Sequence, residues 1–296
     1  ASSHGLDQRR MEAVRLAAAG FTNLTQDHLD YHGDMETYFH AKLRLFTELL
    51  AEDGVAVVNL DDSYGPRVAA ACARREIEVI GLGQYSEDAA LKITGRRLDD
   101  TGQDVLFRWQ GQTVQTRLSL IGGFQALNVL TAAGLVIAAG EDAQAVFSVL
   151  PRLTGVRGRM QLAGRRANGA PVFVDYAHTP DALETAIRAL RPHVMGRLIV
   201  VFGAGGDRDR GKRPLMGKAA AEHADVVFVT DDNPRSEDPA AIRAAILHAC
   251  PEATEVGDRA EAILRGVDAL EPGDALLIAG KGHESGQIVG DVVYPF

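Results

Sequence analysis

Cysteine is scarce: the chain of 296 residues contains only Cys72 and Cys250. Both sit in Ala-rich, helix-like settings. They offer neither a metal-ligand spacing nor a disulfide framework, and they suit a reducing cytoplasm. No apolar run approaches the roughly 20 residues that a membrane-spanning helix needs, and no signal-peptide core stands at the start. Positive charge is not in surplus either. Lys and Arg number 31 against 40 Asp and Glu, a formal net charge of −9, which excludes a general binder of nucleic-acid backbones. Internal repeats and low-complexity tracts are missing. So is an initiating Met: the chain opens at Ala1 and its first motif begins at once, so residue 1 reads as an internal point of a longer protein.

What is present is a large apolar fraction, 46%, in a length that suits two domains. The segment Gly54 to Asp61 reads as a buried strand, Ser63 to Arg75 as a helix and Ile77 to Gly81 as the next strand. This alternation predicts a parallel, doubly wound sheet. Residues 91–120 break the rhythm with short runs split by turn residues, the pattern of a small antiparallel β-meander. A long helix follows over Phe124 to Ala139. Pro151 to Arg159, with Pro, two Gly and three Arg, reads as a linker and a plausible hinge. The α/β rhythm then restarts, with strands at Val172–Val174, Leu198–Phe202, Val226–Val229 and Ala275–Ile278. The expectation is an α/β protein of two doubly wound domains, 1–156 and 157–296.

Four strands of the second domain run into polar loops: Asp175–His178, Gly203–Arg208, Asp231–Arg235 and Gly280–Glu284. Ligands bind at the carboxyl ends of strands in parallel sheets. Any one loop could be structural, but four with Asp, Asn, Arg, His and Glu at one edge predict a binding crevice. Gly206 to Lys212 fits part of a phosphate-binding loop. Arg213 stands where Ser or Thr is required, and Asp207 and Asp209 would repel phosphate, so that assignment is rejected. Its arginines better suit a carboxylate. Asp232-Asn233-Pro234-Arg235 could grip a zwitterionic amino acid or merely turn the chain. In the first domain His28, Asp30 and His32 alternate. On a strand they would share a metal-binding face; as a helix start, Asp27 or Asp34 would be the cap. Lys42 lies on an apolar helix between Phe39 and Phe46. There it either reaches to solvent or is buried as a reactive free amine.

Together, Ser2–Leu6, Phe21–Gly33, Gly158–Met160, Asp175–Pro180, Gly205–Pro214, Asp232–Arg235 and Gly280–Glu284 resemble successive motifs of the Mur ligase family, in order and over nearly the whole chain. They are most similar to its diaminopimelate-adding branch. The resemblance implies a central ATPase domain in 1–156 and a Rossmann-like, amino-acid-binding carboxyl-terminal domain in 157–296. It implies ATP and Mg²⁺ as cofactors, and UDP-N-acetylmuramoyl-dipeptide and meso-diaminopimelate as substrates. It further implies that Ser2, Gln8 and Arg10 contact the UDP-sugar-peptide. His28 and a carbamylated Lys42 would be the catalytic, metal-holding pair. Asn128, Arg159, Asp175, Tyr176 and His178 would contact ATP. Arg208, Asp232, Asn233, Pro234, Arg235, Gly280 and Glu284 would bind diaminopimelate. A cytoplasmic monomer, bound to neither nucleic acid nor membrane, is expected. The family's uridine-binding domain, its phosphate-binding loop and an acidic Mg²⁺ ligand before Ser2 do not occur in the chain, so the chain alone is expected to be inactive. A folylpolyglutamate-synthetase-like ligase and a non-catalytic remnant are the competing readings.

Overall fold

The computed structural model describes residues 1–295. The chain divides into two compact units. The first comprises Ala1–Arg97, Gln103–Ser119 and Gly123–Leu153; the second comprises Leu98–Gly102, Leu120–Gly122 and the chain from Thr154 onward.

The first unit runs α1 (Ser3–Asp7), β1 (Leu16–Phe21), α2 (Leu29–His32), α3 (Met35–Arg44) and a π-helical turn at Leu45–Leu49. It continues with β2 (Leu50–Asn59), α4 (Gly65–Ala73), β3 (Glu78–Gly83), β4 (Leu91–Asp99), β5 (Gly102–Trp109) and β6 (Gln112–Leu118), and ends in α5 (Phe124–Ala138) and α6 (Ala143–Val149). One sheet holds the strands in the order β1-β2-β3-β4-β5-β6. β2 is apolar throughout its second half because both faces are covered. Ala56 and Val58 join Phe21, Phe39, Phe46 and Val68 in one core. Val57 faces α5, where a Cβ on Gly134 would come within 2.8 Å of its Cγ1; glycine lets the helix lie close on the strand.

The predicted meander is present, and β5 and β6 are antiparallel over seven residue pairs. It is not a separate sheet, however. β4 pairs parallel with β3 through Leu82–Leu91 and Gly83–Lys92, so the meander extends the parallel sheet. Leu91 and Ile93 are fully buried, and joining an otherwise open sheet edge is what buries them.

The second unit runs β7 (Gln161–Arg165), β8 (Pro171–Asp175), α7 (Pro180–Leu190), β9 (Leu198–Phe202), α8 (Lys212–His223), β10 (Val226–Val229), α9 (Pro239–Leu247), β11 (Thr254–Glu255), α10 (Arg259–Asp268) and β12 (Ala275–Ala279). A hairpin of β13 (Gly286–Val289) and β14 (Val292–Pro295) follows. The sheet order is β11-β10-β9-β12-β8-β7. All pairs are parallel except β7 with β8. The alternation along β9 shows the double winding. Leu198, Val200 and Phe202 pack with Leu183, Ile187, Met216, Ala220, Ile242 and Ile246 of α7, α8 and α9. Ile199 and Val201 pack on the opposite face with Ala262 of α10 and with Leu270. Leu183, Ile187 and Leu190 are wholly buried, each burial contributing about 1.5–3 kcal/mol. Thr179 caps α7 by accepting from the Ala182 N–H at 3.3 Å, with Pro180 in the first turn. Among the described residues no helix is long and apolar enough to cross a membrane.

Candidate functional site

Because β8, β9, β10 and β12 are parallel, their carboxyl ends share one edge. The four polar loops are therefore brought together there. After β8, the buried Asp175 accepts from the backbone N–H groups of Met160 at 2.7 Å and Ala177 at 2.8 Å. Burial nevertheless pushes its carboxyl above the usual range, against those bonds and the nearby Arg159. The Arg159 guanidinium lies 4.6 Å from the centre of the Tyr176 ring. The same ring lies 4.6 Å from the His178 ring and 5.6 Å from the His283 ring. Lys212, in the first turn of α8, donates to the His178 carbonyl at 3.1 Å. Burial draws its ammonium down from the usual range, with Asp232 and Asp209 opposing.

The Gly-rich loop after β9 spends its charges on holding itself. Asp207 accepts from the Ser236 hydroxyl at 2.7 Å and from its N–H at 3.1 Å. Arg213 is buried and donates to Glu237 at 2.8 Å, while Arg210 reaches the other Glu237 oxygen at 3.1 Å. A Cβ on Gly206 would run into the Pro234 carbonyl, so only glycine allows this contact between the loops. Arg208 stays exposed, its Nη1 donating to the Asp207 carbonyl at 3.0 Å.

Asn233 and Arg235 both have left-handed backbone, at φ 45° and 52°, on either side of Pro234. The Arg235 guanidinium donates through Nη1 to the Gly206 carbonyl at 2.7 Å. The Arg208 and Arg235 cations both act on Asp207 and hold its carboxyl below the usual range, after its bonds from Ser236, which contribute most. Asp232 is buried and pairs with the Lys281 ammonium at 3.1 Å. Gly280 has φ +102°, and a Cβ there would collide with the Asp232 carboxylate. Glu284 accepts from the Gly282 N–H at 2.8 Å. Burial works to raise its carboxyl, but the backbone N–H groups of Gly282 and Glu284 and the charges of His283 and Lys281 hold it below the usual range.

In the first unit the strand reading of His28, Asp30 and His32 is overturned. His28 is the amino-terminal flanking residue of α2, at φ 55°, and Leu29–His32 are helical. The alternating polar residues are a helix entry, and Asp34 caps α3 by accepting from the Thr37 N–H at 2.7 Å. His32 is buried against the Ser3 hydroxyl at 2.9 Å, with its ring stacked 5.1 Å from that of Tyr38. His28 and Lys42 each lie near the Tyr38 ring. The His28 ring lies 6.0 Å from the Tyr38 ring and the Lys42 ammonium 5.3 Å from its centre. Burial draws the Lys42 ammonium below its usual range, and Asp27, which is 3.4 Å from His28, opposes. Ser2 spends its hydroxyl on the Gly5 N–H at 3.1 Å, as the cap of α1. Gln8 donates to the Tyr31 hydroxyl at 3.2 Å, and Arg10 is exposed. Asn128 lies exposed on α5 and bonds Gln125 at 3.4 Å.

Sequence reasoning passed over Lys281, Glu237 and His4. Lys281 stands inside a motif already singled out, and burial alone marks it. Glu237 follows the Asp232–Arg235 motif by two residues. His4 has its ring 4.1 Å from that of Tyr31.

Two α/β units, the second with four polar loops along the carboxyl edge of its parallel strands, define the class of α/β proteins that bind ligands at the ends of their strands. The family model for the Mur ligase middle domain matches residues 1–136, and the model for the Mur ligase glutamate ligase domain matches residues 158–282. The chain is 56% identical over 296 residues to the UDP-N-acetylmuramoyl-L-alanyl-D-glutamate–2,6-diaminopimelate ligase of Caulobacter vibrioides, with all of this chain and 60% of that protein covered. It is 52% identical over 298 residues to the ligase of the same name from Bradyrhizobium diazoefficiens, with all of this chain and 61% of that protein covered. A solved structure of a ligase with this name is 38% identical, with a TM-score of 0.68, and the match covers all of this chain and 61% of that one. A Mycobacterium tuberculosis folylpolyglutamate synthase complexed with ADP shares the fold at 22% identity and a TM-score of 0.71, over 90% of this chain and 61% of that one. The chain belongs to the Mur ligase family. It spans about 60% of the length of the curated relatives it matches.

Among the described residues no group of three or more His, Cys, Asp and Glu could hold a metal ion. Mg²⁺ usually keeps several waters and takes only one or two protein anions plus substrate phosphates. A half-buried lysine and a histidine near the same tyrosine ring would fit that sparse donor set were the amine carbamylated.

Proposed function

We propose that this chain supplies the middle and carboxyl-terminal parts of an ATP-dependent ligase that adds meso-diaminopimelate to UDP-N-acetylmuramoyl-L-alanyl-D-glutamate, in the cytoplasm and as a monomer. The observation that carries the reading is the Arg235 guanidinium, fixed on the Gly206 carbonyl at 2.7 Å, with Arg208 on the same loop. Two cations on neighbouring loops suit the distal carboxylate of diaminopimelate. Asp232 and Glu284 offer carboxylates to its ammonium groups, and Gly280 keeps the wall between them open.

In this reading the glutamate side-chain carboxylate of the precursor takes the γ-phosphoryl group of ATP, giving an acyl phosphate and ADP. The diaminopimelate nitrogen then forms a bond to the acyl carbon, the bond to phosphate oxygen breaks, and the nitrogen loses a proton. No covalent bond to the protein is needed, so the residues act by positioning and by charge. Arg159 on Tyr176, with Asp175 and His178, forms one wall for the nucleotide, and Asn128 contributes to nucleotide binding. Ser2, Gln8 and Arg10 contact the UDP-sugar-peptide. Lys42 as a carbamate and His28 would hold Mg²⁺, which supplies charge neutralisation at the phosphoryl group when bound.

The test is amide formation by a full-length ligase carrying these residues, with diaminopimelate, lysine or glutamate offered in turn. Turnover with diaminopimelate alone is expected. Preference for glutamate would instead favour a folylpolyglutamate-synthetase-like activity, and no turnover with any of the three would favour a non-catalytic protein.

A further inference from the structure

Arg235 cannot hold its place unaided. Left-handed backbone is unfavourable for a non-glycine residue, and here it occurs twice in three residues, at Asn233 and Arg235. Such a turn persists only where its surroundings determine it. Beside the Gly206 N–H, which donates to the Asn233 carbonyl at 3.0 Å, two sets of bonds from the chain's last segment do so.

The first set belongs to Lys281. Its ammonium is 3% exposed and reaches Asp232 at 3.1 Å, the Asn233 side-chain oxygen at 3.0 Å and the Gly286 carbonyl at 3.4 Å. One buried cation thus ties the turn to the start of the hairpin. The second set belongs to the outer edge of β13. Within the hairpin Val289 pairs with Val292 and Ile288 with Val293. The backbone groups of Ile288 face away from β14, and the turn uses both. The Ile288 N–H donates to the Asn233 side-chain oxygen at 2.8 Å, and the Ile288 carbonyl accepts from the Arg235 N–H at 3.2 Å. The Arg235 carbonyl in turn accepts from the Gly290 N–H at 2.8 Å. Arg235 is therefore held like a strand residue, bridged to Val289 on its neighbour. The Asn233 oxygen accepts from both Lys281 and Ile288, so it organises the protein here.

We propose that Lys281 and the β13 edge of the hairpin are positioning elements for amino-acid specificity: they set the Arg235 backbone, and through it the direction of the guanidinium that reads the carboxylate of the incoming diamino acid. The inference rests on the reading of Arg235 given above. Lys281 acts on Arg235 through Asn233, with no contact to the reacting atoms. A one-ångström misplacement of a recognition group is enough to cost about a hundredfold.

The experiment uses a full-length ligase carrying this chain and three variants: Lys281→Met, Ile288→Pro and Arg235→Ala. Ile288→Pro removes the N–H given to Asn233 and sets a ring carbon against that oxygen, while the bonds to β14 on the other side stay, and so covers the event that Lys281→Met does not fold. The readouts are KM for diaminopimelate, KM for ATP, and the ratio of kcat/KM for diaminopimelate to that for lysine. Both positioning variants should raise the diaminopimelate KM at least tenfold and shrink the ratio toward that of Arg235→Ala, with the ATP KM within about twofold of wild type. If Arg235→Ala collapses the ratio while the folded positioning variants keep it, the positioning role is wrong and the reading of Arg235 stands. If Arg235→Ala itself keeps the ratio, both fall. Equal losses in the diaminopimelate and ATP constants would make Lys281 and the hairpin general structural supports and overturn the inference.

Discussion

The two candidate regions are built in opposite ways. Along the carboxyl edge of the second sheet, charged side chains are bonded to one another: Lys281 to Asp232, Arg213 to Glu237, and Arg235 to the Gly206 carbonyl. Around Tyr38 in the first unit, the Lys42 ammonium lies 5.3 Å from the ring centre with the Asp27 charge acting on it, and among the described residues it makes no hydrogen bond. A crevice whose groups are held by their neighbours can discriminate between similar amino acids, because its geometry is fixed before the ligand arrives. A group left half-buried and lightly bonded suits a role that a modification or a ligand completes. On the proposed function, selection would fall to the second region and charge handling to the first.

The largest effect should come from the lightly bonded region. Lys42→Ala in a full-length ligase is expected to lower activity about a thousandfold, since several kcal/mol of charge stabilisation are at stake. Millimolar short carboxylates should restore part of it by standing in for the carbamate. An alanine variant with full activity would remove Lys42 from the chemistry and erase this side of the contrast.

In the rigid region, Glu237 offers a smaller and more selective perturbation. It accepts from buried Arg213 at 2.8 Å and from the Asp207 N–H at 2.7 Å, so it joins the Gly-rich loop to the Asp232–Arg235 turn. Glu237→Gln should raise the diaminopimelate KM about tenfold and leave the ATP KM nearly unchanged. Steady-state kinetics with each substrate varied in turn decides this; a shift in the ATP constant alone would mean that the loop serves the nucleotide.

The opposite end of the same sheet provides a control. Asp274, before β12, is buried and accepts from Arg197 at 2.7 Å and from the Glu271 N–H at 2.9 Å. Burial alone would raise its carboxyl, yet Arg197 and the backbone donors hold it below the usual range. A carboxyl depressed on folding contributes stability that is fully present above its unfolded value near 3.9 and is lost as pH falls through the lower folded value. Asp274→Asn should therefore cost about 1–3 kcal/mol at neutral pH and flatten the acid limb of a Tm-against-pH curve below about pH 4. Amino-acid preference should not move. If it does, the two ends of the sheet are coupled and the division between scaffold and site fails.

Much of this was legible in the sequence because it is written locally. The strands β8, β9, β10 and β12 announce themselves as apolar runs, and each ends in residues that have no reason to sit on a buried strand unless a ligand or a partner loop meets them. The supports were not legible. Lys281 bonds Asn233 across 48 positions and Arg213 bonds Glu237 across 24, and no local pattern reports such pairings. β1 was missed because Leu16–Phe21 contains three alanines and a glycine, which carry little strand signal. The closing hairpin did leave a signal, since Gly290-Asp291 between apolar pairs is a two-residue turn pattern. The spacing of His28, Asp30 and His32 left a strand face and a helix start open, and the structure takes the helix start, with Asp34 as the cap.

The account turns on Arg235, and one pair of measurements tests it: kcat/KM for meso-diaminopimelate and for lysine, on a full-length ligase and its Arg235→Ala variant. Lysine lacks the distal carboxylate, so with lysine bound Arg235 and Arg208 lose that partner and keep only the charge of Asp207. Losing the charge-assisted contact should cost about 2–5 kcal/mol, or roughly a few tens to a few thousandfold, with diaminopimelate and far less with lysine. The variant's preference should therefore narrow by that factor. A variant that keeps the wild-type preference would make Arg235 a turn residue only, and would contradict the assignment of this crevice to the amino acid.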